Sequence, residues 1–222
     1  MTLEYFEIMR TLNYREVGNV STQVNIDRTY IAETDVARRI INKPISPDVI
    51  FRFNLEKKTI ATDVLSQGDI TSSGLLISKR IYDSIKELCI EHVQFIDSRV
   101  KKGNEELRYY WLHPTQDYFD YIDYSKTTFV LTEKSTGHIL YEMKFKNKEV
   151  LLQRLYNKKT DKALTDKDGI FFMPGYSLKS HFIFLPRIDI SLYISKTMKD
   201  ILIANAITGA LITEEATNMI CE

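Results

Sequence analysis

Two stretches of this 222-residue chain, 117 positions apart, align without a gap. Leu75-Leu76-Ile77-Ser78-Lys79-Arg80-Ile81-Tyr82-Asp83-Ser84-Ile85 is matched by Leu192-Tyr193-Ile194-Ser195-Lys196-Thr197-Met198-Lys199-Asp200-Ile201-Leu202. Ile77, Ser78, Lys79, Asp83 and Ile90 recur as Ile194, Ser195, Lys196, Asp200 and Ile207, and apolar residues match at 81/198, 85/202, 93/210 and 95/212. Solenoid repeats recur every 20–50 residues or so, far below this spacing. The pattern predicts one strand–helix–strand unit used twice, over residues 75–96 and 192–213.

Each unit has a local logic. Its apolar run ends at Ser78 or Ser195, where a hydroxyl can accept a hydrogen bond from the first helical turn and so cap it. Ile81, Ile85, Leu88 and Cys89 then follow the spacing of a buried helix stripe, as do Met198, Leu202, Asn205 and Ala206. The second helix should stop near Gly209, because glycine accepts positive φ. His92 holds the same slot in the first unit. Neither unit has the Glu or Gln three residues after the serine that would complete a capping box.

Thirty basic and thirty acidic residues cancel, so the overall charge announces neither nucleic acid nor an anionic membrane. Thirteen Tyr and eleven Phe favour strands and a surface that binds through aromatic rings. The start of the chain lacks the basic and apolar regions of a signal peptide. No apolar stretch reaches the ~18 residues of a membrane-spanning helix. The reading is a soluble, cytoplasmic protein with no membrane or nucleic-acid partner. Cys89 is expected as a small core residue, and Cys221 lies in the tail.

Short strands are expected at 3–9, 20–26, 48–54, 107–113, 170–173 and 181–185. Residues 127–132 and 139–145 read as a hairpin with Gly137 in the turn. Residues 28–46 are mixed, 55–73 loop-like, 150–155 ambiguous between helix and strand, and 157–168 an exposed charged loop. A short amphipathic tail, 214–220, closes the chain. No Pro-, Gly- or Ser-rich linker separates the halves. The expected architecture is therefore one α+β body spanning 1–222, mainly antiparallel sheets with a few helices and an internal pseudo-repeat.

His92, His113, His138 and His181 show no metal-ligand spacing, and no nucleophile, Walker or dinucleotide motif is present. No metal or organic cofactor is expected, and no catalytic set. His113 precedes Pro114, where a surface or turn role is expected. The most unusual local sequence is Asp117-Tyr118-Phe119-Asp120-Tyr121-Ile122-Asp123-Tyr124, in which acid and aromatic residues recur every third position. A 3₁₀ turn would align Asp117, Asp120 and Asp123 beside Tyr118, Tyr121 and Tyr124. Either the rings pack inward with the aspartates solvated, or Asp117, Tyr118, Asp120, Tyr121 and Asp123 form a partner-binding edge.

The repeated strand–Ser–helix–strand unit, together with the Tyr109-Tyr110-Trp111-Leu112 strand and the aspartates through Asp123, resembles a family of bacterial polymorphic-toxin immunity proteins once catalogued as a domain of unknown function. The likeness covers roughly residues 48–132 and 181–213, and His92 departs from the family's glycine. The resemblance implies a non-enzymatic antitoxin that binds and neutralises a cognate secreted toxin domain, protecting the producing cell and its kin. An enzyme, such as a hydrolase using Asp117–Asp123 with His113, and an adaptor of a secretion system remain as alternatives.

Overall fold

The computed structural model describes residues 1–11, 13–18, 22–30, 37–66, 74–88, 91–157, 161–185 and 191–222. Their fold is α+β, with most strand pairs antiparallel. The first sheet has the order β2-β3-β6-β7-β5-β4. Its strands are β2 (Val24–Ile26), β3 (Phe51–Leu55), β4 (Val64–Leu65), β5 (Leu75–Ser78), β6 (Val93–Lys102) and β7 (Glu105–Pro114). The second has the order β11-β14-β1-β13-β12. It is built from β1 (Thr2–Arg10), β11 (Ile170–Phe171), β12 (Phe182–Leu185), β13 (Ser191–Ser195) and β14 (Ala210–Ile220). A three-stranded sheet sets β8 (Phe129–Glu133) between β10 (Lys162–Asp166) and β9 (Ile139–Met143). Four α-helices lie among the described residues: α1 (Tyr14–Val17), α2 (Lys79–Ile85), α3 (Lys148–Asn157) and α4 (Lys196–Ala204).

The two large sheets share one connectivity. In each, a strand leads through a serine into a helix, and the next strand returns parallel to the first with one antiparallel strand between them. That central strand is β7 between β5 and β6, and β1 between β13 and β14. Outside, β4 and β12 pair antiparallel with β5 and β13, while β3 and β11 pair parallel with β6 and β14. The central strand of the second sheet comes from the N-terminal end of the chain, so the match could not be read from the 75–96 and 192–213 segments alone.

The matched segments also match in detail. Ser78 and Ser195 are extended, at φ −66°, ψ 159° and φ −64°, ψ 161°, and their hydroxyls accept from the N–H groups of Ile81 and Met198. Each satisfies a donor that a helix start leaves open. Lys79–Asp83 and Lys196–Asp200 form ion pairs one turn on. His92 and Gly209 have φ +60° and +80°, a left-handed residue at the matching place in each unit; α4 itself ends earlier than the expected stop near Gly209, at Ala204, and is followed by Ala206 at φ +47°. Tyr109 and Tyr5, the register partners of Ser78 and Ser195, donate to the carbonyls of Thr62 and Ser180.

Alternation of side chains along the strands sorts the core into layers. Leu75, Ile77, Tyr110 and Leu112 of the first sheet meet Phe6, Ile8, Leu192 and Ile194 of the second, with Ile81, Ile85, Met198 and Leu202 of the two helices among them. The other face of the first sheet, with Val24, Phe51, Leu76, Ile96 and Trp111, packs with Ala37 and Ile45 from outside the sheet. The other face of the second presents Tyr5, Ile183, Tyr193 and Met219 to Tyr118, Phe129, Leu151 and Leu164. Two apolar faces per sheet explain why β5 and β12 read as unbroken apolar runs.

Several expectations need correction. The charged segment 157–168 contains β10, whose Ala163 and Leu164 are buried against β8. Flanking Lys162 and Asp166 hid a two-residue apolar signal. The loop-like 55–73 segment contains β4, and 150–155 is helical within α3. The tail 214–220 is the end of β14, paired along β1. His113 is fully buried, its Nε2 2.8 Å from the Lys43 carbonyl, rather than at the surface. Cys221 is buried too, with its N–H on the Met1 carbonyl. Cys89 and Ile90 lie outside the described residues. Among the described residues no helix is long and apolar enough to cross a membrane.

Candidate functional site

The acid and aromatic segment folds as a 3₁₀ turn over Tyr118–Tyr121, and Asp117 caps it by accepting from the Phe119 N–H at 3.1 Å. The turn is pinned from beneath. Asp123 N–H donates to the Phe171 carbonyl at 2.7 Å, and Met173 N–H to the Tyr121 carbonyl at 2.9 Å. This anchorage decides which rings turn inward.

Tyr118 has no exposed surface and packs with Phe119, Ile122 and Tyr5. A partner cannot touch it, so it leaves the set of surface contacts. Tyr121 is half-buried, stacked on Tyr176 with ring centroids 4.5 Å apart. Tyr124 is buried and donates to the Phe119 carbonyl at 2.9 Å.

The three aspartates do not form a free acidic row. Asp117 and Asp120 converge on the Lys148 Nζ, at 2.9 and 2.7 Å. Lys148 belongs to the first turn of α3. Burial alone would lower its pKa, but the hydrogen bonds and charges of the two carboxylates raise it. Asp123 instead holds its own turn, accepting from the Ser125 hydroxyl at 2.6 Å and from the Ser125 N–H at 3.0 Å. The Ser125 hydroxyl bond leads the contributions that keep the Asp123 carboxyl below its ordinary pKa. Asp120 is the most open of the group, and it borders a shallow hollow of about 460 Å³ with Lys146, Glu149 and Met173. Structure thus brings Asp117, Asp120 and Lys148 together and separates Asp123 from them. Neither Lys148 nor Met173 was visible beforehand, because nothing in the local sequence ties 148 or 173 to 117–123.

A second concavity, about 510 Å³, lies at the start of α4 and includes Glu4, Lys179, His181, Ser195 and Lys196. His181 Nδ1 is 2.7 Å from the Ser195 Oγ. Burial pushes the His181 pKa down, which favours the neutral ring. With the proton on Nε2, the serine hydroxyl donates to Nδ1 while accepting from the Met198 N–H at 3.2 Å. The matching place in the first unit is Asp63. Ser78 N–H donates to the Asp63 carbonyl as Ser195 N–H does to that of His181, and the Ser78 hydroxyl reaches the Asp63 carboxylate at 2.7 Å. Ser–His proximity here therefore reproduces a capping contact made elsewhere in the same chain by a carboxylate.

No protein-family model matches this chain, and no curated protein matches it.

Proposed function

We propose that this chain is an immunity protein that binds and neutralises a cognate secreted toxin domain, acting by contact and not by catalysis. What carries the reading is the resemblance of the strand–Ser–helix–strand units. The residues on which it was drawn build two capped units of like connectivity around a shared core of large apolar side chains. Fold alone does not assign function; the binding role comes from the resemblance, and a rigid β-rich scaffold suits it because little ordering entropy is lost on docking. The like connectivity of the two sheets is, on this reading, the product of duplication. The cell compartment implied is the cytoplasm.

The test is co-expression of the chain with a toxin domain encoded beside its gene. Restored growth and a stable complex of the two purified proteins support the reading. Growth arrest that persists with the chain well expressed, with no complex formed, overturns it.

A further inference from the structure

Arginines occupy directly paired positions on three neighbouring strands of the six-stranded sheet. Arg52 on β3 is the register partner of Arg99 on β6, and Arg99 is the partner of Arg108 on β7. Paired residues share a face, and like charges placed so are destabilising. Asp97 and Glu106 on that face, with Asp27 beside Arg52, relieve the repulsion only in part. Asp97 accepts from Arg99 at 2.8 Å and lies 3.4 Å from the Arg108 Nε. Glu106 stands 3.7 Å from Arg52 and 3.9 Å from Arg99, outside hydrogen-bond range of both. The side chains of Arg108, Arg52 and Arg99 are 47%, 33% and 27% exposed, so the row is open to solvent at Arg108 and half-buried at the other two.

The fold does not demand these arginines, and the second sheet is the internal control. Its register pairs place Glu4 where the first sheet has Arg108, since each precedes the tyrosine opposite the capping serine. Asn218 takes the place of Arg99, and Gly169 that of Arg52, by the pairs Tyr5↔Thr217 and Ile170↔Met219 against Tyr109↔Ser98 and Phe53↔Val100. The same connectivity is thus built with no cation in the row.

Aromatic rings extend the patch. The Arg108 guanidinium sits 5.2 Å from the Tyr110 ring centroid, and Tyr110 stacks on Tyr82 of α2 at 3.9 Å. Arg52 lies over Tyr30 at 4.7 Å. Arginine beside tyrosine is the composition of binding hot spots.

We propose that the face bearing Arg52, Arg99 and Arg108 docks a carboxylate-bearing surface of a partner protein, whose acids enter between the guanidiniums where Glu106 now stands loosely. This rests on the toxin-binding reading above and places its interface on the first sheet, not on the Asp117–Asp123 edge. Discrete carboxylates fit better than a nucleic-acid backbone. Asp97 and Glu106 interrupt the row, so an evenly charged polyanion would be repelled at every second position, whereas spaced acids interdigitate.

The probe is a catalytically inactive form of the toxin domain encoded beside the gene, titrated calorimetrically into the full chain. The double variant Arg52→Glu/Arg108→Glu should weaken binding by about 100-fold or more, while Asp120→Lys at the other edge changes it by less than about threefold. Thermal midpoints of both should stay near the parent's; if the double variant fails to fold, Arg108→Gln alone should still weaken binding by about tenfold. Undiminished binding by folded arginine variants overturns this surface and leaves the toxin-binding reading intact. Failure of the parent chain to bind the domain overturns both. A single-stranded oligonucleotide that binds the parent and is lost in the arginine variants overturns the choice of a protein partner.

Discussion

Asp63 shows how one side chain can hold two units together. Its carboxylate accepts from the Ser78 hydroxyl, from Arg80, and from both the N–H and the hydroxyl of Thr208, at 2.7–3.2 Å where the distances are ordinary. Thr208 lies beyond α4, so this cluster ties the first unit's helix start to the second unit's helix end. Burial alone would raise the Asp63 pKa, but the hydrogen bonds from Arg80, Ser78 and Thr208 outweigh it and hold the carboxyl below its ordinary value. A carboxyl depressed in the folded state contributes stability above its unfolded pKa of about 3.9, lost as pH falls through the folded value. Asp63→Ala should cost about 2–4 kcal/mol at pH 7 in a urea titration, by leaving buried donors unpaired. The difference from the parent should shrink in acid below about pH 4.

His181, at the matching position, also loses its contribution as pH falls, but in a higher pH range than Asp63. Its pKa is lowered by burial, so the unfolded chain binds a proton at a pH where the folded chain does not. The stability it contributes is complete above about pH 6.5 and falls as pH drops below that value. Thermal melts at pH 7.5 and 5.5 should show a smaller loss for His181→Gln than for the parent. An equal loss would mean that other groups carry the dependence. Of these contacts the sequence disclosed the two serine caps, because a hydroxyl at the end of an apolar run has one obvious use. It disclosed neither Asp63 nor His181, since they precede their serines by 15 and 14 residues.

At the scale of elements, the two helices are legible because their stripes are. Ile81, Ile85, Met198 and Leu202 are each no more than 1% exposed. Ile85→Ala or Leu202→Ala should therefore cost about 2–5 kcal/mol as a large-to-small change in a packed core. A denaturant midpoint unchanged from the parent's would remove that residue from the core. The caps set a smaller scale: Ser78→Ala or Ser195→Ala should cost about 0.5–2 kcal/mol. Elements short in sequence were lost to reading. Val64–Leu65 and Lys162–Asp166 carry two buried residues each, too few for a period to register, and they are strands only because β5 and β8 offer them an edge. The Asp117–Tyr124 segment was legible as a turn but not in its orientation. Which rings faced inward was decided by residues 171–173, far along the chain, and Lys148 then claimed two of the three carboxylates.

For the whole molecule, the two large sheets meet through one apolar layer, with both helices between them. The arginine row proposed as the interface is carried by β3, β6 and β7. Rigid strands hold its side chains at fixed spacing, which suits specificity better than a loop would. The sequence offered no sign of the row, because Arg52, Arg99 and Arg108 come together only through strand pairing.

Growth of cells carrying an inducible copy of a toxin domain encoded beside the gene, with and without this chain, decides whether the chain neutralises it. Growth should be restored by the parent chain and lost or reduced with the folded Arg52→Glu/Arg108→Glu variant. Growth arrest that the well-expressed parent chain does not relieve would rule out toxin neutralisation by this chain.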